Sequence, residues 1–291
     1  MILEIIFIII GFVLLVKGAD FLLKSATSIA KKFGLSETII GLTVVAIGTS
    51  LPEIFITITS SINGHSDLII GNAIGSCICN FLLVLGISAL VKRVKFDKRI
   101  VKTHIPICII AMCLVLLLGN ITKLEESYII NRWQGVILLF CAIGYIVYTI
   151  YEEKTIKNKT IEKEIIEEVE LKEINSGVII VIYLILGILG LKFGSNFVVD
   201  NSILIAEKFG LSENIIGMTI IAVGTALPEI ITGIIAAKRN ETDLLLGNIT
   251  GSNILNLLLL IGLGAVISPI KLMSNFNMTM LVLIAVTILL K

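Results

Sequence analysis

Residues 31–53, KKFGLSETIIGLTVVAIGTSLPE, return 176 positions later at 207–229 as EKFGLSENIIGMTIIAVGTALPE, with 16 of 23 positions identical. At the same offset DLIIGNAIGSCICN (67–80) becomes DLLLGNITGSNILN (243–256), with eight of 14 identical. Two blocks in one register mean that the chain is built twice from a single unit, and any fold must hold both copies. The units are also strongly apolar. Hydrophobic residues make up 56% of the 291 positions and charged residues 15%, with a mean hydropathy of +1.05. A soluble chain sits near 45–50% apolar and about 25% charged. This composition excludes a soluble enzyme, a disordered chain and a nucleic-acid binder, which would need a basic surface. The expectation is an all-α polytopic membrane protein.

A bilayer is crossed by about 20 apolar residues. Apolar runs place helices at 2–23, 38–62, 67–91, 103–119, 131–151, 177–200, 213–237, 243–267 and 275–290, nine in all. Glu4 stands where a signal peptide would carry basic residues and no small-residue cleavage site follows, so the first run reads as a retained helix. With the loop after that helix inside, 17 basic residues fall on inner segments and four on outer ones. The positive-inside rule then puts the N-terminus outside and the linker inside, in a multi-pass cell-membrane protein. The linker holds eight glutamates and five lysines, with Ile161, Ile165 and Val169 at helical spacing; it reads as a solvated tether. The expected division is a first repeat at 1–151 (motif 41–80), a charged cytoplasmic linker at 152–176 and a second repeat at 177–291 (motif 217–256). Five helices precede the linker, and an odd number inverts the second copy in the membrane. Inverted repeats are a common construction of secondary transporters, whose sites lie near the midplane.

The repeated residues have a chemistry of their own. Pro52 and Pro228 each remove a backbone donor and break a helix, freeing the carbonyls of Gly48 and Gly224 and bringing those of Ala46 and Ala222 near the break. Irregular backbone at membrane depth is tolerated where it lines a cavity or is buried in protein. Glu53 and Glu229 follow those prolines inside apolar helices, with no basic residue at comparable depth on either block. An intramembrane carboxylate is costly and marks a functional site, and two of them without a cationic partner call for a cation from outside. Ser76 and Asn80 lie four residues apart on one helix face and recur as Ser252 and Asn256. Together with Thr49, Ser50 and Thr225 they supply the six to eight oxygens that a hard cation such as calcium takes. Asn72 and Asn248 read as braces behind the ligands. Gly41, Gly71, Gly75 and Gly86, recurring as Gly217, Gly247, Gly251 and Gly262, read as close-packing positions between helices.

Other features carry less. Cys108, Cys113 and Cys141 lie in apolar runs, and Cys77-x-Cys79 has no partner residues to complete a zinc set. His65 and His104 read as surface residues. An intramembrane hydrolase would need a nucleophile or an acid dyad, and the apolar segments carry neither a Ser/His pair nor a paired Asp motif. A channel would use the same ligands as a transporter, and the two differ in unitary conductance.

The paired motifs GTSLPE/GTALPE and GNAIGSCICN/GNITGSNILN resemble the two alpha repeats of the calcium/cation antiporter superfamily, specifically its sodium/calcium exchanger branch and within it the short archaeal exchangers. The resemblance covers the whole chain. It implies a secondary antiporter without cofactor that exchanges sodium for calcium, and it carries metal-ligand roles onto Glu53, Glu229, Thr49, Ser50, Thr225, Ser76, Ser252, Asn80 and Asn256, with the carbonyls of Ala46 and Ala222. The partners implied are the lipid bilayer and the two ions, with no nucleic acid; a homo-oligomer is left open. Ala226 departs from the pattern at the position of Ser50 and removes one sodium ligand. Asn256 stands where potassium-dependent relatives carry aspartate, which implies potassium-independent exchange. The family has ten helices as a rule, and the fifth helix here would recur at 307–327, past Lys291. A proton/calcium or other divalent-cation antiporter on the same scaffold is the alternative.

Overall fold

The computed structural model describes residues 2–94, 98–124, 127–160, 176–209 and 222–289, with side chains throughout except at 154–160, 207, 222 and 223. The chain is helical, in the order α1 (Ile2–Phe33), α2 (Glu37–Thr49), α3 (Leu51–Ile62), α4 (Ser66–Val91), α5 (Ile100–Gly119), α6 (Arg132–Thr160), α7 (Gly177–Lys208), α8 (Ala222–Thr225), α9 (Leu227–Lys238), α10 (Thr242–Ile267) and α11 (Phe276–Leu289). Six of the described helices are long and apolar enough to cross a membrane, seven when α2 and α3 are taken as one bent span. The helix expected at 275–290 is α11, of 14 residues. The one expected at 213–237 lies partly outside the described residues, as does most of the linker.

Several helices run past their apolar segments. α1 was expected to end near residue 23 and continues to Phe33, and α7 continues to Lys208. Hydropathy marks where lipid ends, whereas a helix stops where its last carbonyls find other partners. For α1 that stop is Gly34, at φ 59°: Leu35 N–H donates to the Ala30 carbonyl (2.7 Å) and Gly34 N–H to that of Lys31 (3.1 Å). This is a Schellman cap, which needs a left-handed residue and so favours glycine. The same cap recurs at the 176-residue offset, at Gly64 after α3 and at Asn240 after α9.

The element boundaries repeat as the sequence does. Leu51–Ile62 matches Leu227–Lys238, and Ser66–Cys79 matches Thr242–Leu255. The π-helical turn Asn80–Val84 inside α4 matches Asn256–Leu260 inside α10. Packing crosses between the halves. α2 lies on α10, α4 packs against α9, and α1 runs antiparallel along α7. Glycine makes the α1–α7 approach possible: a Cβ on Gly11 would stand 2.8 Å from the Gly194 carbonyl oxygen, and one on Gly187 2.7 Å from Leu22 N.

Two features depart from the expectation. A small sheet joins the loops after α5 and α10: β1 (Thr122–Leu124), β2 (Ser127–Ile130) and β3 (Ile270–Lys271) pair antiparallel in that order. Strands of two to four residues are too short to leave a periodic pattern, and an all-α reading passes over them. His104, expected at the surface, is fully buried, with Nε2 3.2 Å from the Glu152 carboxylate and Nδ1 3.4 Å from the Tyr145 hydroxyl. Beside it Glu153 accepts from Arg99 (2.9 Å) and from the backbone N–H (2.7 Å) and hydroxyl (3.1 Å) of Ser36, the residue that caps α2. The ends of α1, α5 and α6 are thereby tied to the start of the helix leading to the site.

Candidate ion-binding site

The site forms where two helices break. Ser50 sits between α2 and α3 at φ −84°, ψ 6°, and Ala226 between α8 and α9 at φ −86°, ψ −2°. Pro52 and Pro228 each take the second position of the helix that follows, and the first break bends the span by 48°. A proline is well tolerated in a helix's first turn but cannot satisfy the carbonyl four residues behind it. The two freed carbonyls fare differently. That of Gly224 accepts the Ser195 hydroxyl of α7 at 2.7 Å. The position equivalent to Ser195 in the first half is Ala19, which has no hydroxyl to offer Gly48. Ser195 lies outside the repeated motifs and left no signal in the sequence.

Glu53 and Glu229, each in the first turn after its break, are buried at 0% and 3% exposure. They are near enough for the charge of one to act on the other. Both Glu53 carboxylate oxygens and Oε2 of Glu229 are buried without a hydrogen-bond partner, and among the described residues no cationic side chain pairs with either. An uncompensated buried carboxylate costs several kcal/mol. Two such carboxylates are stable only where cations or protons compensate them.

The remaining candidate ligands gather around this pair in two unequal halves. In one, the hydroxyls of Thr49 and Ser252, with one proton each, lie within reach of two acceptors, Asn248 Oδ1 (3.2 and 3.4 Å) and the Ala46 carbonyl (3.4 and 3.5 Å). This cluster is sealed: Ala46, Thr49, Asn248 and Ser252 are all buried. Its counterpart lies along α4. Asn72, Ser76 and Thr225 line a cavity of about 520 Å³ that extends from Asp67 past Gly71 and Gly75 to Cys79 and Leu82. Asn72 Nδ2 donates to the Glu53 backbone carbonyl at 3.2 Å, a bracing role like that of Asn248. Ala222 is helical, with its side chain outside the described residues. Ser50 is fully buried with its hydroxyl unpartnered. Asn80 and Asn256 are both buried and open the two matching π-helical turns. Asn253, which the motif reading passed over, accepts from Asn80 Nδ2 at 3.0 Å.

A broken-helix pair, two buried carboxylates and a set of hydroxyl, amide and carbonyl oxygens describe a cation transporter of helical repeats. The chain matches the sodium/calcium exchanger protein family over residues 3–151 and 179–291, and it belongs to that family. It is 38% identical over 248 residues to the uncharacterized membrane protein MJ0091 of Methanocaldococcus jannaschii, covering 85% of this chain and 76% of that one. It is 32% identical over 321 residues to the sodium/calcium exchanger MaX1 of Methanosarcina acetivorans, covering 97% and 89%. Among solved structures it superposes on the sodium-calcium exchanger NCX_Mj soaked with 2.5 mM Na+ and 0.1 mM Ca2+, with a TM-score of 0.83, 32% identity, and coverage of 100% and 90% of the two chains. The protein is thus a multi-pass membrane antiporter of the sodium/calcium exchanger type, working on its ions without a cofactor.

Proposed function

We propose that the chain exchanges sodium for calcium by alternating access around Glu53 and Glu229, electrogenically and without potassium. The observation that carries this reading is the pair of buried carboxylates without a cationic partner, sealed on one side by Ala46, Thr49, Asn248 and Ser252 and reached on the other through the cavity at Ser76 and Thr225. In this reading Glu53, Glu229, Thr49, Ser50, Thr225, Ser76, Ser252, Asn80 and Asn256, with the carbonyls of Ala46 and Ala222, form one shared set of ligands. Calcium neutralises the two carboxylates. Sodium displaces it by occupying the same oxygens several ions at a time, and each arrangement lets the halves rock so that the closed side opens.

The organisation follows from the repeats. Residues 1–151 and 177–291 act as two inverted copies joined by a cytoplasmic linker at 152–176, with the N-terminus outside. Helix boundaries recurring at the sequence offset support the two-copy reading. With that orientation Asp67, at the start of α4, lies at the outer mouth of the cavity, and the conformation is read as outward-facing.

Calcium-45 uptake into sodium-loaded proteoliposomes, with a proton ionophore present, tests this function. Uptake that requires the sodium gradient and survives the ionophore is the expected result. Uptake driven by a pH gradient and indifferent to sodium would replace the reading with proton/calcium exchange.

A further inference from the structure

Asn253 and Cys77 occupy equivalent positions of the two repeats and meet in the buried interior, where α4 packs against α10. Asn253 Nδ2 donates to the Cys77 backbone carbonyl at 3.3 Å, and the Cys77 thiol lies 3.5 Å from the Asn253 carbonyl, as its donor. The two residues therefore clasp each other's backbone across the junction between the halves.

The clasp has a consequence for the site. A carbonyl oxygen only accepts, so the end of the Asn253 amide facing Cys77 must be its NH2. Its Oδ1 then faces Asn80, and it accepts from Asn80 Nδ2 at 3.0 Å. Asn80 in turn must keep its own oxygen on the opposite side. A backbone carbonyl has, through two amides, fixed which end of Asn80 is free to meet a cation. Asn256, the equivalent of Asn80, has no such support. The residue in the matching place is Cys77, whose one sulfur is spent on the backbone and is a weak acceptor for an NH2 group. Both Oδ1 and Nδ2 of Asn256 are accordingly buried without a partner among the described residues, on a turn packed against the helix that carries Glu53.

We propose that Asn253 is a positioning residue that holds the Asn80 oxygen ready for the ion, and that Cys77 leaves the Asn256 amide free to turn either end toward the site. Because the pinned amide need not be reoriented when a cation arrives, it favours binding; the unpinned one must be ordered each time. This inference rests on the exchange function above, so its test also includes a readout that needs no transport.

Asn253→Cys unpins Asn80 and raises the calcium concentration for half-maximal exchange about two- to tenfold, the equivalent of one net hydrogen bond. Cys77→Asn supplies the missing acceptor, pins Asn256, and lowers that concentration by a similar factor. The double exchange Cys77→Asn/Asn253→Cys again leaves one amide pinned and one loose, and half-saturation returns to near the starting value while maximal rate changes little in all three. The same ranking is read directly as the calcium concentration giving half-maximal thermal stabilisation of the purified protein. A merely structural clasp would lower maximal rate and yield, and leave the double variant worse than either single one. Unchanged half-saturation in Cys77→Asn by both readouts would overturn the proposal. Failure of sodium-driven uptake by the unmodified protein, with the stabilisation ranking intact, would instead overturn the exchange function.

Discussion

α4 and α10 come from matching halves of the sequence and have the same boundaries, yet they sit in different surroundings. Gly247 and Gly251 of α10 are buried, and a Cβ on either would collide with the backbone carbonyls of Thr38 and Leu42 in α2. Their equivalents on α4, Gly71 and Gly75, are exposed along the cavity wall, and nothing among the described residues lies within 4 Å of a Cβ built there. The partner that sequence equivalence would assign to Gly71, residues 214–218, lies outside the described residues. A duplicated sequence thus specifies two similar half-sites and does not say how each is packed. In the alternating-access reading proposed above, the two faces would exchange roles during each cycle.

The largest expected effect tests what the halves share. Glu53→Gln and Glu229→Gln each remove one of the two central charges while keeping side-chain shape, and each should reduce sodium-dependent calcium-45 uptake to background with yield and monodispersity retained. Unequal effects would show that the halves bind calcium separately.

The second effect separates the faces. Gly247→Ala or Gly251→Ala puts a methyl into a closed backbone contact and should destabilise the protein by about 1–3 kcal/mol, read as a lower melting temperature in detergent. Gly75→Ala should leave the melting temperature almost unchanged and slow turnover, because the proposed alternating access requires the α4 face to close in the other half of the cycle. Equal melting temperatures for Gly251→Ala and Gly75→Ala would remove the asymmetry.

A third concerns charge. Calcium balances the two carboxylates, whereas three sodium ions, the ratio the family resemblance implies, leave one positive charge, worth about 2.3 kcal/mol per 100 mV. Clamping proteoliposomes at opposite potentials should change calcium flux, with potassium without effect once voltage is held. Indifference to voltage would indicate two sodium ions, an outcome tied to Ala226.

The smallest effect compares the two helix breaks. Ser195→Ala deprives the Gly224 carbonyl of its hydroxyl and should cost about 0.5–1.5 kcal/mol in thermal stability. Ala19→Ser, at the matching position, should stabilise the first break if its hydroxyl reaches Gly48.

What the sequence made readable follows from duplication. Glu53, Glu229, the paired prolines and the Ser/Asn pairs stand out because they recur in register, and the structure buries nearly all of them around two helix breaks. Ser195 and Asn253 stand out less for the complementary reason: neither recurs, the equivalent positions in the other half being Ala19 and Cys77. Helix ends were placed too early because α1 is ended by a left-handed Gly34 and not by the loss of apolar residues. His104 was misplaced because it stands in a basic stretch that resembles a loop, while the chain folds it under α6 against Glu152 and Tyr145.

The central claim is that one site is open through α4 and closed through α10. Cys79 lines the cavity, and its equivalent Leu255 is buried. The direct measurement is the rate at which a charged, membrane-impermeant thiol reagent modifies Cys79, and a cysteine introduced as Leu255→Cys in a Cys79→Ser background, from each side of oriented proteoliposomes. The account predicts that Cys79 reacts from the N-terminal side, that the 255 position reacts only from the linker side, and that calcium slows both. Modification of both positions from the same side would contradict it.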